Sequence, residues 1–149
     1  MSAAAPRGPQ APEVPHLHID GGSRGNPGDA GFGVHVTAPD GAEVAELYGF
    51  IGQATNNVAE YQALLHGLRY ALEHGARRVL VFSDSELVVR QIGGAYRVKH
   101  PAMIPLHREA LSLMRQFTDV RVTHVRREQN KEADRLANRA LDEKASKLD

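Results

Sequence analysis

The sequence predicts an α/β domain, a five-stranded mixed sheet flanked by helices in the order βββαβααβα. Three observations lead there. Apolar and polar residues alternate over residues 30–52, the period of half-buried strands. From Asn57 the period changes, with Tyr61, Leu64, Leu65, Leu68 and Leu72 recurring at helical spacing until Gly75. Arg78–Ser83 (RVLVFS) is then a compact apolar run with a helical segment on each side, the form a buried parallel strand takes.

The elements follow in order. His16 to Asp20 reads as a strand stopped by Gly21-Gly22, with a turn over Ser23–Gly28. Ala30–Thr37 and Glu43–Gly52 are strands around Pro39-Asp40-Gly41, so the first three strands form an antiparallel meander. After the helix from Asn57 and the buried strand, Ser85–Ile92 is a short helix broken by Gly93-Gly94. His100–Phe117 is helical, Val120–Val125 is the fifth strand, and Asn130 to about Lys144 is the last helix. No internal repeat is visible.

At 149 residues the chain fits one domain, with a disordered tail at 1–15, a folded domain at 16–145 and a short tail at 146–149. The first fifteen residues hold four of the eight prolines and no apolar run long enough for a signal peptide or a membrane span. Cysteine is absent, which rules out disulfides and thiolate metal sites and makes a cytoplasmic location the expectation. Eighteen basic residues balance eighteen acidic ones, so net charge does not mark a general polyanion binder. Their distribution is uneven: residues 25–68 contain five acids and no Lys or Arg, whereas residues 97–131 carry eight Lys or Arg against three acids. One half is suited to gripping phosphates and the other to gathering carboxylates.

Four carboxylates occupy awkward positions, each with a bland alternative. Asp20 ends a strand beside glycines, where an Asx-turn would explain it. Glu60 shares a helical face with Leu64 and Leu68, although a capping box from Asn57 would also place a Glu there. Asp84 follows the buried strand, at the end where open α/β sheets place their sites, yet Ser83 and Glu86 fit a capping box around it. Asp134 lies in the first turn of the last helix, where the helix dipole favours an acid. As a set, two strand ends and two helix starts can converge on one sheet edge, where close carboxylates repel unless a cation sits among them. Oxygen ligands without cysteine favour Mg²⁺ or Mn²⁺ over zinc.

The segments Asp20-Gly21-Gly22-Ser23-Arg24-Gly25-Asn26-Pro27-Gly28, Thr55-Asn56-Asn57-Val58-Ala59-Glu60-Tyr61, Ser83-Asp84-Ser85 and Asn130-Lys131-Glu132-Ala133-Asp134 resemble, in order and spacing, the signature segments of type I ribonuclease H. The resemblance spans about residues 16–145. It implies a ribonuclease H-like fold and endonucleolytic hydrolysis of the RNA strand of RNA–DNA hybrids by a two-metal-ion mechanism, leaving 5′-phosphate and 3′-hydroxyl ends. It further implies that Asp20 bridges two Mg²⁺ (or Mn²⁺) ions, that Asp134 helps hold the ion carrying the attacking water, and that Glu60 and Asp84 hold the other. By the same resemblance, Gly21, Ser23, Asn26, Asn56, Asn57 and Glu86 line the minor groove of the hybrid, Glu60 accepts from a 2′-hydroxyl, and Thr55 holds a DNA-strand phosphate. For Asn56 and Asn57 helix capping is the alternative, and for Asn26 a turn. The partner implied is an RNA–DNA hybrid bound by a monomer, with no membrane involved.

The chain departs from the family pattern in several places. Only Tyr96-Arg97-Val98-Lys99 stands where many members have a long basic protrusion. Arg126-Arg127-Glu128-Gln129 stands where many carry a loop histidine, and His124 lies inside the predicted strand. Arg127 or Glu128 is expected to assist departure of the cleaved phosphate instead, unless the loop simply solvates a turn and attracts phosphate. Glu86 occupies a position where a Gln is common, and no hybrid-binding domain is expected ahead of the catalytic one. Two other classes stay open at this point: a nucleic-acid-binding module that keeps the fold without catalysis, and a different nuclease of the same superfold.

Overall fold

A computed structural model describes residues 13–149. The tail expected at 1–15 therefore lies almost wholly outside the described residues. The elements are β1 (His16–Arg24), β2 (Gly28–Thr37), β3 (Glu43–Ala54), α1 (Asn56–Glu73), β4 (Arg78–Ser83), α2 (Glu86–Ile92), α3 (Ile104–Met114), β5 (Asp119–His124) and α4 (Lys131–Glu143), with a 3-10 turn at Arg127–Gln129. They form one sheet in the order β3-β2-β1-β4-β5. The β1–β2 and β2–β3 pairs are antiparallel, and the β1–β4 and β4–β5 pairs are parallel. The predicted element order and mixed sheet are observed.

Strand alternation divides the sheet side chains between two faces. Leu17 and Ile19 of β1, Val34 and Val36 of β2 and Val79 and Val81 of β4 are essentially inaccessible and form one core with Tyr61, Leu64, Leu65 and Leu68 of α1. Each such side chain contributes roughly 1.5–3 kcal/mol by leaving water, so this face anchors the domain. Tyr61 Oη donates to Gln91 Oε1 at 2.7 Å, a buried bond that ties α1 to α2. On the opposite face α4 lays Ala133, Leu136, Ala137 and Ala140 against β2 and β3.

Several boundaries differ from the sequence expectation, for physical reasons. β1 does not stop at Asp20: Gly21, Gly22, Ser23 and Arg24 continue the ladder opposite Phe32, Gly31, Ala30 and Asp29, and the turn contracts around Gly25, whose φ is +94°. α1 is capped by Thr55, whose Oγ1 accepts from Val58 N at 3.3 Å, rather than by Asn57, so Glu60 takes no part in a capping box. α2 is capped by Ser85, not Ser83, and Ser83 Oγ accepts from Ser85 N instead. α3 is shorter than the predicted 100–117, because residues 101–103 form a turn ahead of it. The segment 146–149, expected as a tail, runs beside the edge strand β3, where Lys147 and Tyr48 exchange backbone hydrogen bonds of 2.8 and 2.9 Å.

The approach of α4 is set by Gly33. A Cβ there would lie 2.4 Å from Ala133 O and 2.6 Å from Leu136 Cβ, so any side chain would lift the helix off β2. Gly33→Ala is expected to cost about 1–3 kcal/mol, the usual range for overpacking. Thermal unfolding followed by circular dichroism checks this, and an unchanged melting temperature would mean that α4 does not depend on this contact.

Candidate active site

Asp20 and Asp84 come together because β1 and β4 are parallel neighbours. The last paired residues are Ile19 and Ser83, and a carboxylate lies immediately beyond each pairing end. Glu60 joins them from α1. Gly21 makes that possible, since a Cβ at this position would fall 2.3–2.6 Å from the backbone of Ala59 and Glu60. One carboxylate oxygen from each of Asp20, Glu60 and Asp84 fits within a 4.8 Å group. Asp134, exposed in the first turn of α4, stands at the outer margin of the cleft, near enough to Asp20 to raise its pKa.

The electrostatics of this cluster are unfavourable as they stand. Burial, followed by repulsion from Asp84 and the Asp134 contact, pushes Asp20 from an ordinary 3.8 up to about 8, against a small opposing bond from Gly21 N. Glu60, 5% exposed, is raised well above its usual value, by burial first and then by Asp20 and Asp84. Its Oε1 is buried with no hydrogen-bond partner. Asp84 is raised by burial, with Arg127 and then Asn130 opposing. A buried carboxylate oxygen without a donor is costly. Divalent cations with oxygen preference satisfy it, and the all-carboxylate donor set fits Mg²⁺ or Mn²⁺. A second group of potential ligands, His35, Glu46 and Glu132, differs in this respect, because Arg135 already bonds both Glu46 and Glu132.

The cleft over the carboxylates is also lined by Gly21, Gly22, Ser23, Arg24, Asn56, Asn57, Ser85, Arg127 and Asn138. Its rim is cross-braced: Asn56 Oδ1 accepts from Ser23 N (2.7 Å) and Ser23 Oγ (3.1 Å), and Asn56 N donates to Asn26 Oδ1 at 3.0 Å. The expected site residues Gly21, Ser23, Asn56, Asn57 and Arg127 thus reach the cleft with the four carboxylates. Asn26 and Thr55 are not among the lining residues and instead brace the turn and cap α1. Glu86 does not reach it and instead pairs with Arg90 one turn on, at 3.0 Å. In the 126–129 loop, Arg127 faces the cleft, whereas Glu128 pairs with Arg126 at 3.7 Å, both largely exposed.

Sequence reasoning missed Asn130. It precedes α4 and reads as a cap, yet its side chain makes no capping bond. Buried to 2% exposure, its Nδ2 donates to Ile19 O at 2.8 Å, its side chain lies near Asp84 and opposes the rise of that pKa, and its own carbonyl accepts from Asp134 N at 3.2 Å. One residue therefore bonds the backbone before Asp20 and the first turn of α4, beside Asp84. Arg24 and Asn138 were missed as well, because only the fold brings the end of β1 beside the middle of α4.

The family model described as "Reverse transcriptase-like" matches residues 18–140. A bifunctional protein of Mycobacterium tuberculosis is 48% identical over 127 residues, which are 85% of this chain and 35% of that protein. The structure of its N-terminal RNase H domain, fused to maltose-binding protein, superposes with a TM-score of 0.84 at 46% identity, covering 87% of this chain and 94% of that one. Ribonuclease HI of Halobacterium salinarum is 43% identical over 128 residues, 86% of this chain and 64% of that protein. LC11-RNase H1, solved in complex with an RNA/DNA hybrid, is 38% identical with a TM-score of 0.82, covering 88% of this chain and 97% of that one. The chain spans about a third of the length of the mycobacterial relative and under two thirds of the halobacterial one.

The raised Asp20 pKa has a signed consequence for metal-free protein. Between about 4 and 8 the folded state keeps a proton that the unfolded chain releases, so stability falls as pH rises through that window. His18 acts oppositely: burial, then His35 and His16, hold it down to about 4, so its contribution is lost as pH falls from 6.5 toward 4. The difference between wild type and Asp20→Asn isolates the carboxylate. Asp20→Asn should raise the melting temperature without metal more at pH 8 than at pH 4.5, and Mg²⁺ at pH 8 should stabilise wild type more than the variant. A pH-independent difference would contradict this account.

Proposed function

Since the chain belongs to the type 1 ribonuclease H family, we propose that it hydrolyses the RNA strand of RNA–DNA hybrids endonucleolytically, leaving 5′-phosphate and 3′-hydroxyl ends. The observation that carries this reading is the convergence of Asp20, Glu60 and Asp84 within one 4.8 Å group, with Asp134 at its margin and a buried Glu60 oxygen lacking any donor. These four side chains would hold two Mg²⁺ ions, or Mn²⁺. When bound, such ions activate the attacking water and neutralise charge on the attacking and leaving oxygens.

The chain's own contribution is placement. Gly21 and Gly33 let α1 and α4 close on Asp20, so the ligands are held before substrate arrives and little reorganisation accompanies the reaction. The braced rim of Ser23, Asn56 and Asn57 offers polar groups to the strand lying on the carboxylates, where a 2′-hydroxyl distinguishes RNA from DNA. Asn56 Oδ1 is engaged by Ser23, which leaves its amide hydrogens to donate. Arg127, beside Asp84, is placed to pair with the cleaved phosphate as it leaves. No helix among the described residues is long and apolar enough to cross a membrane. The proposed acting form is a monomer, and the proposed location is cytoplasmic.

Incubating one labelled strand as hybrid, duplex DNA, duplex RNA and single strand with Mg²⁺ tests the reading directly. Only the RNA of the hybrid should be cut, and a protein that binds hybrid but cuts nothing would return the chain to the binding-module class. Asp84→Asn should abolish cleavage while its melting temperature holds or rises, because one repelling charge is gone. Full activity in that purified variant would falsify the metal-site assignment. Arg127→Ala should lower kcat several-fold with little change in KM if the arginine serves product release, a rough expectation for one assisting group. A raised KM with unchanged kcat would make it a general phosphate contact.

A further inference from the structure

Strand alternation puts Asp20, Gly22 and Arg24 on the same face of β1. Gly22 has no side chain, so the floor between the carboxylate and the arginine is bare backbone, and both ends of this row line the cleft. Arg24 stands roughly 13 Å along the strand from Asp20, at about 3.3 Å per residue. On the other side of the carboxylates, Arg127 lines the same cleft. These are the two cationic side chains among the lining residues, Arg24 at the end of β1 and Arg127 just after β5, which lies beyond β4 from β1 in the sheet, so they flank the cluster.

Arg24 is held rather than waving. Its Nη2 donates to Asp142 Oδ1 at 2.7 Å and lies 3.4 Å from Asn138 Oδ1, both on α4. The side chain is still about half exposed, and both bonds use the same nitrogen. A guanidinium has five N–H donors in a planar fork, so the tether fixes its direction and leaves donors for a second anion. Arg69 offers a contrast: it is paired to Glu109 across α1 and α3, away from the cleft.

Resting on the hybrid-cleavage reading, we infer that Arg24 is a phosphate-binding residue for the cut strand, gripping a backbone phosphate displaced from the scissile one on the α4 side, opposite Arg127. Asp142 and Asn138 act as positioning residues for it. Such a contact serves affinity and register rather than chemistry.

Steady-state cleavage of a labelled hybrid across a KCl series tests this in wild type, Arg24→Ala, Arg24→Lys and Arg69→Ala, with melting temperatures confirming that each folds. Arg24→Ala should raise KM about five- to tenfold, keep kcat within about twofold, and reduce the slope of log KM against log salt by about one, as loss of one phosphate contact does. Arg24→Lys should restore most of the slope. Arg69→Ala removes the same charge elsewhere and should leave KM and slope near wild type. Wild-type KM and slope in Arg24→Ala would overturn the inference, as would an equal change in Arg69→Ala, which would mark a bulk charge effect. A fall in kcat at constant KM would also overturn it, because the arginine would then act through the carboxylates. Wild-type protein that leaves hybrid uncut would remove the functional reading and the inference together, a result distinct from failure of Arg24 alone.

Discussion

Two helices touch the backbone of the sheet directly, and the rest of the site depends on those contacts. Gly21 lets α1 rest on β1 at Ala59 and Glu60, and Gly33 lets α4 rest on β2 at Ala133. Asp20 stands between them, one residue before Gly21 and directly opposite Gly33 across the β1–β2 pair. A side chain at either glycine would move a helix by the width of a methyl group, and with it a carboxylate. Close packing transmits such shifts rather than absorbing them. The glycines therefore act on chemistry through distance, although neither has a functional group.

The same closeness loads the site with unfavourable electrostatics, which the remainder of the fold must offset. The core between α1 and the sheet, with Leu64 and Leu68 inaccessible against Leu17, Ile19 and Val34, holds Glu60 in place despite the repulsion. Asn130 ties the margin together through bonds to the β1 backbone and to α4, beside Asp84. Its Oδ1 stays buried without a partner, like Glu60 Oε1. Unsatisfied polar atoms concentrated at one place in an otherwise well-bonded domain mark where stability gives way to function.

Much of this was legible in the sequence because the signals were long or repeated. The helical period from Tyr61 to Leu72 and the apolar run at residues 78–83 fixed the elements, and the strand-end and helix-start positions of Asp20, Glu60, Asp84 and Asp134 pointed to one edge. Local signals were less reliable. Gly21-Gly22 looked like a turn because glycine usually marks one, but here it continues β1 so that a helix can approach. Thr55, Asn57, Ser83 and Ser85 are all competent helix caps, and which one serves depends on where tertiary packing starts the helix. Glu86 is separated from Asp84 by a single residue, yet it points along α2 to Arg90. Arg24 and Asn130 lie in segments that carry the resemblance, but no role could be read for them, since their partners lie more than a hundred residues away in the chain.

The charge arrangement suggests how a chain of zero formal net charge can handle a polyanion. Long-range attraction is weak when acids and bases cancel, so encounter gains little from steering. At the cleft each flanking arginine has an acid beside it, Arg24 tethered through one nitrogen to Asp142 and Arg127 near Asp84. An arriving phosphate would share them with those carboxylates, and it meets further repulsion from the cluster itself. Under the proposed function, cations bound at the cluster would reverse that balance by cancelling charge beneath the strand. Metal and substrate binding would then be coupled, each making the other more favourable. Under the proposed function, discrimination would come from fitting a strand to a metal-loaded, braced cleft, with the basic residues of the 97–131 half adding attraction that does not depend on sequence.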